Sequence, residues 1–154
     1  TEKAEPIDPR AMVMSALDLI GEQLRLAGIE IVTELSKESA LVLGHVIQME
    51  QVILNLLSNA KDAMAESNRE EKIILRVFEG NKCVLITCED TGSGIPEDSL
   101  FRIFEPFYTT KEMGKGTGLG LSVSYGIVRD MGGTIAAKNT GDGARFTITL
   151  PIVS

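Results

Sequence analysis

Two asparagines in one helix-like stretch are the first residues whose type and spacing could do chemistry. The stretch HVIQMEQVILNLLSNAKDAMAE, residues 45–66, places Asn55 and Asn59 four residues apart, so a helix would present both side chains on one face. Their neutral oxygens suit a hard cation such as Mg²⁺. The plainer interpretation of the same periodicity is an amphipathic helix with its polar side in water. The amide-rich composition favours a ligand, because exposed helix faces normally carry Lys and Glu and because Asn is a poor residue inside a helix.

An acidic residue followed by glycines ends a strand-like run. The stretch EDTGSGIP, residues 89–96, stands at the end of the strand-like run that begins CVLIT. It is consistent with a simple turn. It is also consistent with Asp90 at the floor of a pocket, accepting a hydrogen bond from an amino group such as that of adenine, with Gly92 and Gly94 leaving room for the ring. DTGS is, thirdly, the active-site tetrapeptide of aspartic proteases. The sequence has a single copy, so two chains would have to pair to complete such a site, and Glu89 stands where those enzymes place an apolar residue.

A glycine-rich stretch precedes an apolar helix-like run. GKGTGLGLS, residues 114–122, matches neither the Walker spacing nor the dinucleotide-binding fingerprint. It is either a flexible linker or a phosphate cradle, in which uncovered backbone N–H groups and the positive end of the following helix face the ligand. In the second case the nearby Lys111 and Lys115 could meet the terminal phosphate.

Alternating strand-like and helix-like runs must position these residues. Helical spacing is found from Pro9 to Gly28, over 46–66 and in LGLSVSYGIVRDM, whereas IEIVTEL at 29–35, with ALVLG at 40–44 as a short partner, indicates strands. EKIILRVFEG and NKCVLITCED form a predicted hairpin, and GTIAAKN and ARFTITLPI a closing pair. We therefore expect an α+β fold, a two-layer sandwich with a mixed, mostly antiparallel sheet of about five strands and about three helices on one face. Residues 1–8 are predicted to be the remnant of a linker and 9–154 one domain, with 91–116 as a lid.

Composition narrows the partners and the compartment. The 154 residues carry a net charge of −7 with scattered basic residues, so a nucleic-acid partner is not expected. Cys83 and Cys88 would face opposite sides of one strand and stay unpaired, which suits a reducing cytoplasm. Without a leader or a long apolar run, we expect an excised, soluble fragment that makes no membrane contact itself, while the longer protein could be membrane-anchored.

Several motifs in one order resemble a known family. NLLSNA, DTGSGIP, FRIFEPFYTTK and GKGTGLGLSVSYGIV, followed by GGTI and GARFTITLP, resemble the N, G1, F and G2 boxes and closing strands of the catalytic and ATP-binding domain of sensor histidine kinases, over about residues 8–152. The resemblance implies the Bergerat ATP-binding fold with an ATP lid. It also implies that the domain binds ATP with Mg²⁺ and donates the γ-phosphoryl group to a histidine on a separate dimerisation domain of the same kinase, which then passes it to a response regulator. Because dimerisation in the family resides in that other domain, the resemblance implies that this fragment is monomeric.

The resemblance also implies roles for individual residues. Asn59 would hold Mg²⁺, with Asn55 assisting, and these two with Lys111 would form the catalytic group. Asp90 would bind the adenine amino group. The other implied nucleotide-binding residues are Asp62, Gly92, Gly94, Ile95, Phe104, Phe107, Tyr108, Thr109, Thr110, Lys115, Gly116, Thr117, Gly118, Leu119, Gly120, Leu121 and Ala144, of which Phe104 and Phe107 would anchor the lid.

The sequence departs from the family pattern in three ways. Asp62 stands where many members have Lys or Arg, and Ala144 stands where a threonine often approaches adenine. The phosphoacceptor helix is missing, and His45 is interpreted as a helix-entry or surface residue. Because anti-sigma factors share the fold, the alternative function is a nucleotide-dependent protein-binding module, although the long aromatic lid favours the kinase.

Overall fold

The computed structural model describes residues 3–38, 40–65, 70–108 and 120–153. Its helices are α1 (Pro9–Leu26), α2 (Val46–Met64) and α3 (Gly120–Asp130), with a short 3-10 helix at Glu97–Ser99. Its strands are β1 (Glu5–Ile7), β2 (Glu30–Leu35), β3 (Val42–Gly44), β4 (Lys72–Glu79), β5 (Cys83–Asp90), β6 (Thr134–Asn139) and β7 (Ala144–Pro151). Every helix and strand predicted from the sequence is present, with bounds that shift by a few residues.

Local signals explain where α1 begins and ends. The Asp8 carboxylate accepts a hydrogen bond from the Arg10 backbone N–H at 2.9 Å, and Pro9 occupies the first helical turn. Both features are favourable at a helix start. The chain leaves the helix through Gly28, whose φ of +85° is a conformation that glycine adopts without strain. The predicted span of this helix is therefore confirmed.

Five strands form one mixed sheet in the order β2-β4-β5-β7-β6. β2 and β4 are parallel, and the other neighbours are antiparallel. Alternate residues of β5 and β7 point to a buried face, including Ile86, Ile148 and Leu150. The helices pack on this face, where α2 contacts α1, α3 and β5. The predicted two-layer α/β sandwich is confirmed.

Two short strands correct details of the sequence analysis. ALVLG was expected to pair with the strand that became β2, but β3 instead pairs antiparallel with β1, and Ile7 lies opposite Val42. Both of these side chains are buried, at 3% and 1% exposure, so the pairing with β1 adds apolar contact to the core. Residues 5–7 were assigned to a linker remnant and form a strand instead. The domain boundary itself stays a prediction.

The sheet face away from the core carries a row of charges. Arg76 on β4 forms ion pairs with Glu34 on β2 and Glu89 on β5, and Arg145 on β7 pairs with the same Glu89. Four neighbouring strands are thereby joined near the end of β5, where Asp90 lies. Surface pairs contribute little each, and a connected row contributes more.

The cysteines of β5 are unpaired, as predicted. Cys88 is buried and Cys83 half-buried. Burial raises the pKa of the Cys88 thiol to about 12, which keeps it protonated and unreactive. Among the described residues, no helix combines the length and apolarity needed to span a membrane.

Candidate nucleotide site

Asp90 is the most deeply buried carboxylate of the predicted site. It ends β5 and is 2% exposed. Its Oδ1 accepts hydrogen bonds from the backbone N–H of Gly92 at 2.9 Å and of Ala144 at 3.3 Å. Both of these bonds use one carboxylate oxygen, so Oδ2 is the atom that can accept from a ligand.

Burial governs the charge of Asp90. It raises the pKa of the carboxyl above its ordinary value, the two backbone donors act in the opposite direction, and the neighbouring Glu89 raises the pKa further. A buried carboxylate with spare acceptor capacity favours a partner that brings N–H donors. The exocyclic amino group of adenine is such a donor.

Ala144 takes part in this site through its main chain. The missing threonine hydroxyl was noted as a departure from the family pattern, and the alanine side chain offers no replacement. The Ala144 N–H nevertheless donates to Asp90 Oδ1. A backbone contact of this kind does not depend on the side chain, so the departure leaves the support of Asp90 intact.

Glycines make the close packing around Asp90 possible. A Cβ atom at Gly92 would lie 2.6 Å from the carbonyl oxygen of Ala63, and one at Gly143 would collide with the Asp90 carbonyl. At Gly94, where φ is +79°, a Cβ would lie 2.9 Å from Oδ1 of Asn139. The sequence analysis explained Gly92 and Gly94 by space for a ring. In the structure their nearest neighbours are other parts of this chain.

The polar face of α2 forms the other end of the candidate site. Asn55 and Asn59 are both half-buried, whereas Asp62 is exposed. Nδ2 of Asn55 donates to the Gly120 carbonyl and to the Ser124 hydroxyl, at 3.2 Å each. Because a carbonyl needs a donor, this fixes the amide orientation and leaves Oδ1 of Asn55 for a ligand.

α3 therefore begins beside the asparagine pair. Asn55 contacts Gly120, the first residue of α3, and the buried Ser124 one turn later. Leu121 between them is half-buried and packs against the core. A helix N-terminus favours anions, so amide oxygens for a cation and a helix start for a phosphate lie next to each other.

The aromatic segment after β5 is attached to the core through Phe104. Its ring centroid lies 5.6 Å from that of Tyr125 on α3 and 6.3 Å from that of Phe146 on β7. Tyr108 donates a hydrogen bond to the buried Ser99 hydroxyl. Phe107, in contrast, is 74% exposed and has a φ of 66°. Phe104 thus anchors the segment, whereas Phe107 does not pack on the core.

The remaining predicted residues lie outside the described part of the chain. They are Thr109, Thr110, Lys111, Lys115, Gly116, Thr117, Gly118 and Leu119. Their roles in binding phosphate stay predictions, as do the nucleotide contacts of the described residues.

Sequence reasoning missed two residues of this region. Asn139 and Gly143 belong to NTGDG, which begins at the last residue of β6 and is a recognisable turn signal. That signal predicts a turn but does not say what the turn touches. Both residues contact the segment that begins at Asp90.

Comparison with known proteins identifies the family to which this chain belongs. Residues 44–154 match the model of the histidine kinase-, DNA gyrase B- and HSP90-like ATPases. The two-component sensor PprA of Pseudomonas aeruginosa is 44% identical over 99% of this chain, and the sensor kinase CckA of Brucella abortus is 46% identical over 68%. The chain spans 17% and 12% of the lengths of these two relatives.

Solved structures of histidine kinases share the fold of this chain. A nucleotide-free catalytic domain of histidine kinase ThkA superposes with a TM-score of 0.87 at 29% identity, covering 99% of this chain and 100% of that one. ThkA in complex with the response regulator protein TrrA gives a TM-score of 0.80 at 26% identity, covering 97% of this chain and 42% of that one. By the family match, the relatives and the fold together, the chain belongs to the histidine kinase-, DNA gyrase B- and HSP90-like ATPases, as a sensor histidine kinase ATP-binding domain.

Proposed function

We propose that this domain binds Mg-ATP and donates the γ-phosphoryl group to a histidine on a dimerisation domain outside this chain. The observation that carries the proposal is Asp90, a carboxylate that is 2% exposed and is held through Oδ1 alone by two backbone N–H groups. Such a group has acceptor capacity to spare on Oδ2, which supports a ligand with a directed N–H donor.

The adenine end would be recognised by Asp90 together with the main chain that follows it. The amino group of adenine would donate to Asp90 Oδ2, and the segment from Gly92 to Ile95 would cover one side of the ring. A guanine base would present a carbonyl oxygen at the corresponding position, which Asp90 would repel. The site is therefore expected to prefer adenine nucleotides.

The phosphate end would be built by Asn55 and Asn59. Their oxygens fit a hard divalent cation, and Oδ1 of Asn55 is free of the hydrogen bonds that fix its Nδ2. A bound Mg²⁺ would supply charge neutralisation of the phosphates. The residues of this chain would position and orient the triphosphate beside the start of α3, and Lys111 is predicted to approach it.

Phosphoryl transfer requires little more from this domain than positioning of the reactants and electrostatic stabilisation. The acceptor histidine would come from the dimerisation domain of the same kinase, and its phosphoryl group would pass to a response regulator. A solved relative, ThkA, was studied in complex with a response regulator. His45, which precedes α2 and makes no side-chain capping bond, is not proposed as an acceptor.

A calorimetric titration with a non-hydrolysable ATP analogue, with and without Mg²⁺, tests the binding half of the proposal. We expect magnesium-dependent binding of the adenine nucleotide and at least tenfold weaker binding of the guanine counterpart. Equal affinity for both bases would contradict the role of Asp90. No binding at all would contradict the proposed function.

Labelling from ATP tests the transfer half. With a labelled γ-phosphate and an added dimerisation domain from a kinase of this family, label should move to the acceptor histidine, and Asn59→Ala should abolish the transfer. His45→Ala is the matched control and should transfer normally. Label retained on the wild-type chain but lost in His45→Ala would contradict the assignment of the acceptor to another domain.

A further inference from the structure

The Asn139 side chain pairs with the backbone of Ile95 in the manner of a neighbouring strand. Oδ1 of Asn139 accepts from the Ile95 N–H at 2.7 Å, and Nδ2 donates to the Ile95 carbonyl oxygen at 2.7 Å. Because Ile95 supplies one donor and one acceptor, only an amide side chain in this orientation satisfies both. Asn139 therefore fixes the position of the Ile95 peptide groups.

The approach of Asn139 depends on Gly94. A Cβ atom at Gly94 would lie 2.9 Å from Oδ1 of Asn139. The φ of +79° at Gly94 is, in addition, a conformation that favours glycine. The second glycine of the DTGSG motif thus makes room for Asn139.

Asn139 is carried by an internally bonded turn. Oγ1 of Thr140 accepts from the N–H groups of Asp142 at 3.3 Å and Gly143 at 3.1 Å, and the Thr140 N–H donates to the Gly143 carbonyl at 3.0 Å. The turn is therefore a well-defined platform for the Asn139 side chain.

The same turn leads to the residue that supports Asp90. Ala144 follows Gly143 directly and donates its N–H to Asp90 Oδ1. Residues 90–95 are thus held at one end through Ala144 and at the other through Asn139. One turn aligns both the carboxylate and the main-chain wall that follows it.

The geometry points to Asn139 as a positioning residue for the adenine end of the nucleotide site, acting through Ile95. This inference rests on the proposed function. Its consequence is specific. The loss of Asn139 weakens the binding of every adenine nucleotide by the same factor, whatever its phosphates, and leaves the magnesium dependence of that binding unchanged. A residue with a merely structural role would lower stability without this pattern.

Three variants distinguish a positioning role of Asn139 from a merely structural one. Asn139→Ala removes both hydrogen bonds. Asn139→Asp has the same shape and can still accept from the Ile95 N–H, but it places a carboxylate oxygen against the Ile95 carbonyl. Asn81→Ala, in the exposed turn between β4 and β5, is the matched control. Each is titrated calorimetrically with ATP analogue and ADP, with and without Mg²⁺, and the exchange of the Ile95 amide proton is followed by NMR.

We expect Asn139→Ala and Asn139→Asp each to weaken the binding of ATP analogue and of ADP by the same factor, about tenfold. Asn139→Ala, which removes the acceptor of the Ile95 N–H, should also accelerate exchange of the Ile95 amide. Asn81→Ala should behave as the wild type. Wild-type affinity in Asn139→Asp would overturn the paired contact, and a loss confined to the triphosphate would overturn the placement at the adenine end. If the wild type binds no nucleotide, the proposed function fails as well, whereas unchanged Ile95 exchange in Asn139→Ala would overturn the contact alone.

Discussion

At the proposed adenine end of the candidate site, main-chain groups alone hold the functional side chain, whereas at the proposed phosphate end a main-chain carbonyl and a side-chain hydroxyl hold it together. Asp90 is fixed by backbone N–H groups of Gly92 and Ala144. Asn55 is fixed by a carbonyl and a hydroxyl at the start of α3. The first arrangement tolerates an alanine at position 144 but cannot tolerate added bulk beside it. The second depends on the amide of Asn55 and on the hydroxyl of Ser124.

The largest effect is expected from added bulk at the adenine end. Gly143→Ala places a Cβ against the Asp90 carbonyl and should lower the free energy of unfolding by about 1–3 kcal/mol, because the backbone must move. Gly126→Ala is the matched control, since a Cβ at Gly126 meets nothing within 4 Å. In helix α3 it should stabilise by about 0.5–1 kcal/mol. Urea denaturation followed by circular dichroism measures both, and equal effects would contradict the close packing around Asp90.

Loss of the Asp90 charge should reduce binding more than stability. Asp90→Asn weakens the acceptor for the adenine amino group, so affinity for the ATP analogue should fall by about tenfold to a hundredfold. The exposed Asp98 in the 3-10 helix provides the control Asp98→Asn, which should bind as the wild type. Calorimetric titration distinguishes them, and unchanged affinity in Asp90→Asn would remove Asp90 from the site.

At the phosphate end, substitutions of the two asparagines should have different effects on binding and stability. Asn59→Ala should lower affinity for the ATP analogue by about tenfold only when Mg²⁺ is present. Asn55→Ala should also lower the free energy of unfolding by about 1 kcal/mol, because the buried Ser124 hydroxyl and the Gly120 carbonyl lose a donor.

Ser58→Ala, on the exposed side of α2, controls for the removal of a polar group from this helix. It should change neither the affinity for the ATP analogue, measured by titration, nor the free energy of unfolding, measured by urea denaturation. If Asn55→Ala and Asn59→Ala gave identical stability and binding profiles, the distinct contacts of Asn55 would have no consequence.

The smallest effect is a pH dependence of the unliganded protein. Burial raises the pKa of Asp90 above its ordinary 3.8, so between the two values the native state binds more protons than the unfolded state. Stability that is present below 3.8 is then lost as the pH rises towards the native pKa. The free energy of unfolding of the wild type should fall relative to Asp90→Asn over this window, and parallel curves in urea denaturation would contradict the shift.

Prediction from the sequence succeeded where the information is local. The asparagine pair on α2, the start of α1 at Pro9 and its end at Gly28, and the hairpin of β4 and β5 follow from spacing and turn chemistry within a few residues. The motifs also carried the family resemblance, and with it the fold. Of the two phenylalanines expected to anchor the lid, only Phe104 packs on the core, because aromatic character does not say which ring faces inward.

The sequence by itself determined the three helices and every strand except β1, which residues carry the nucleotide motifs and which family the chain resembles. Only the tertiary structure decided that β3 pairs with β1, that Ala144 supports Asp90 across 54 positions, and that Asn139 holds Ile95 across 44. The physical reason is that such contacts are made between elements that meet only when the sheet assembles. A hydrogen bond that a backbone N–H donates, such as that of Ala144, leaves no mark on the type of the residue that provides it, and the type of Asn139 does not say which backbone it will contact.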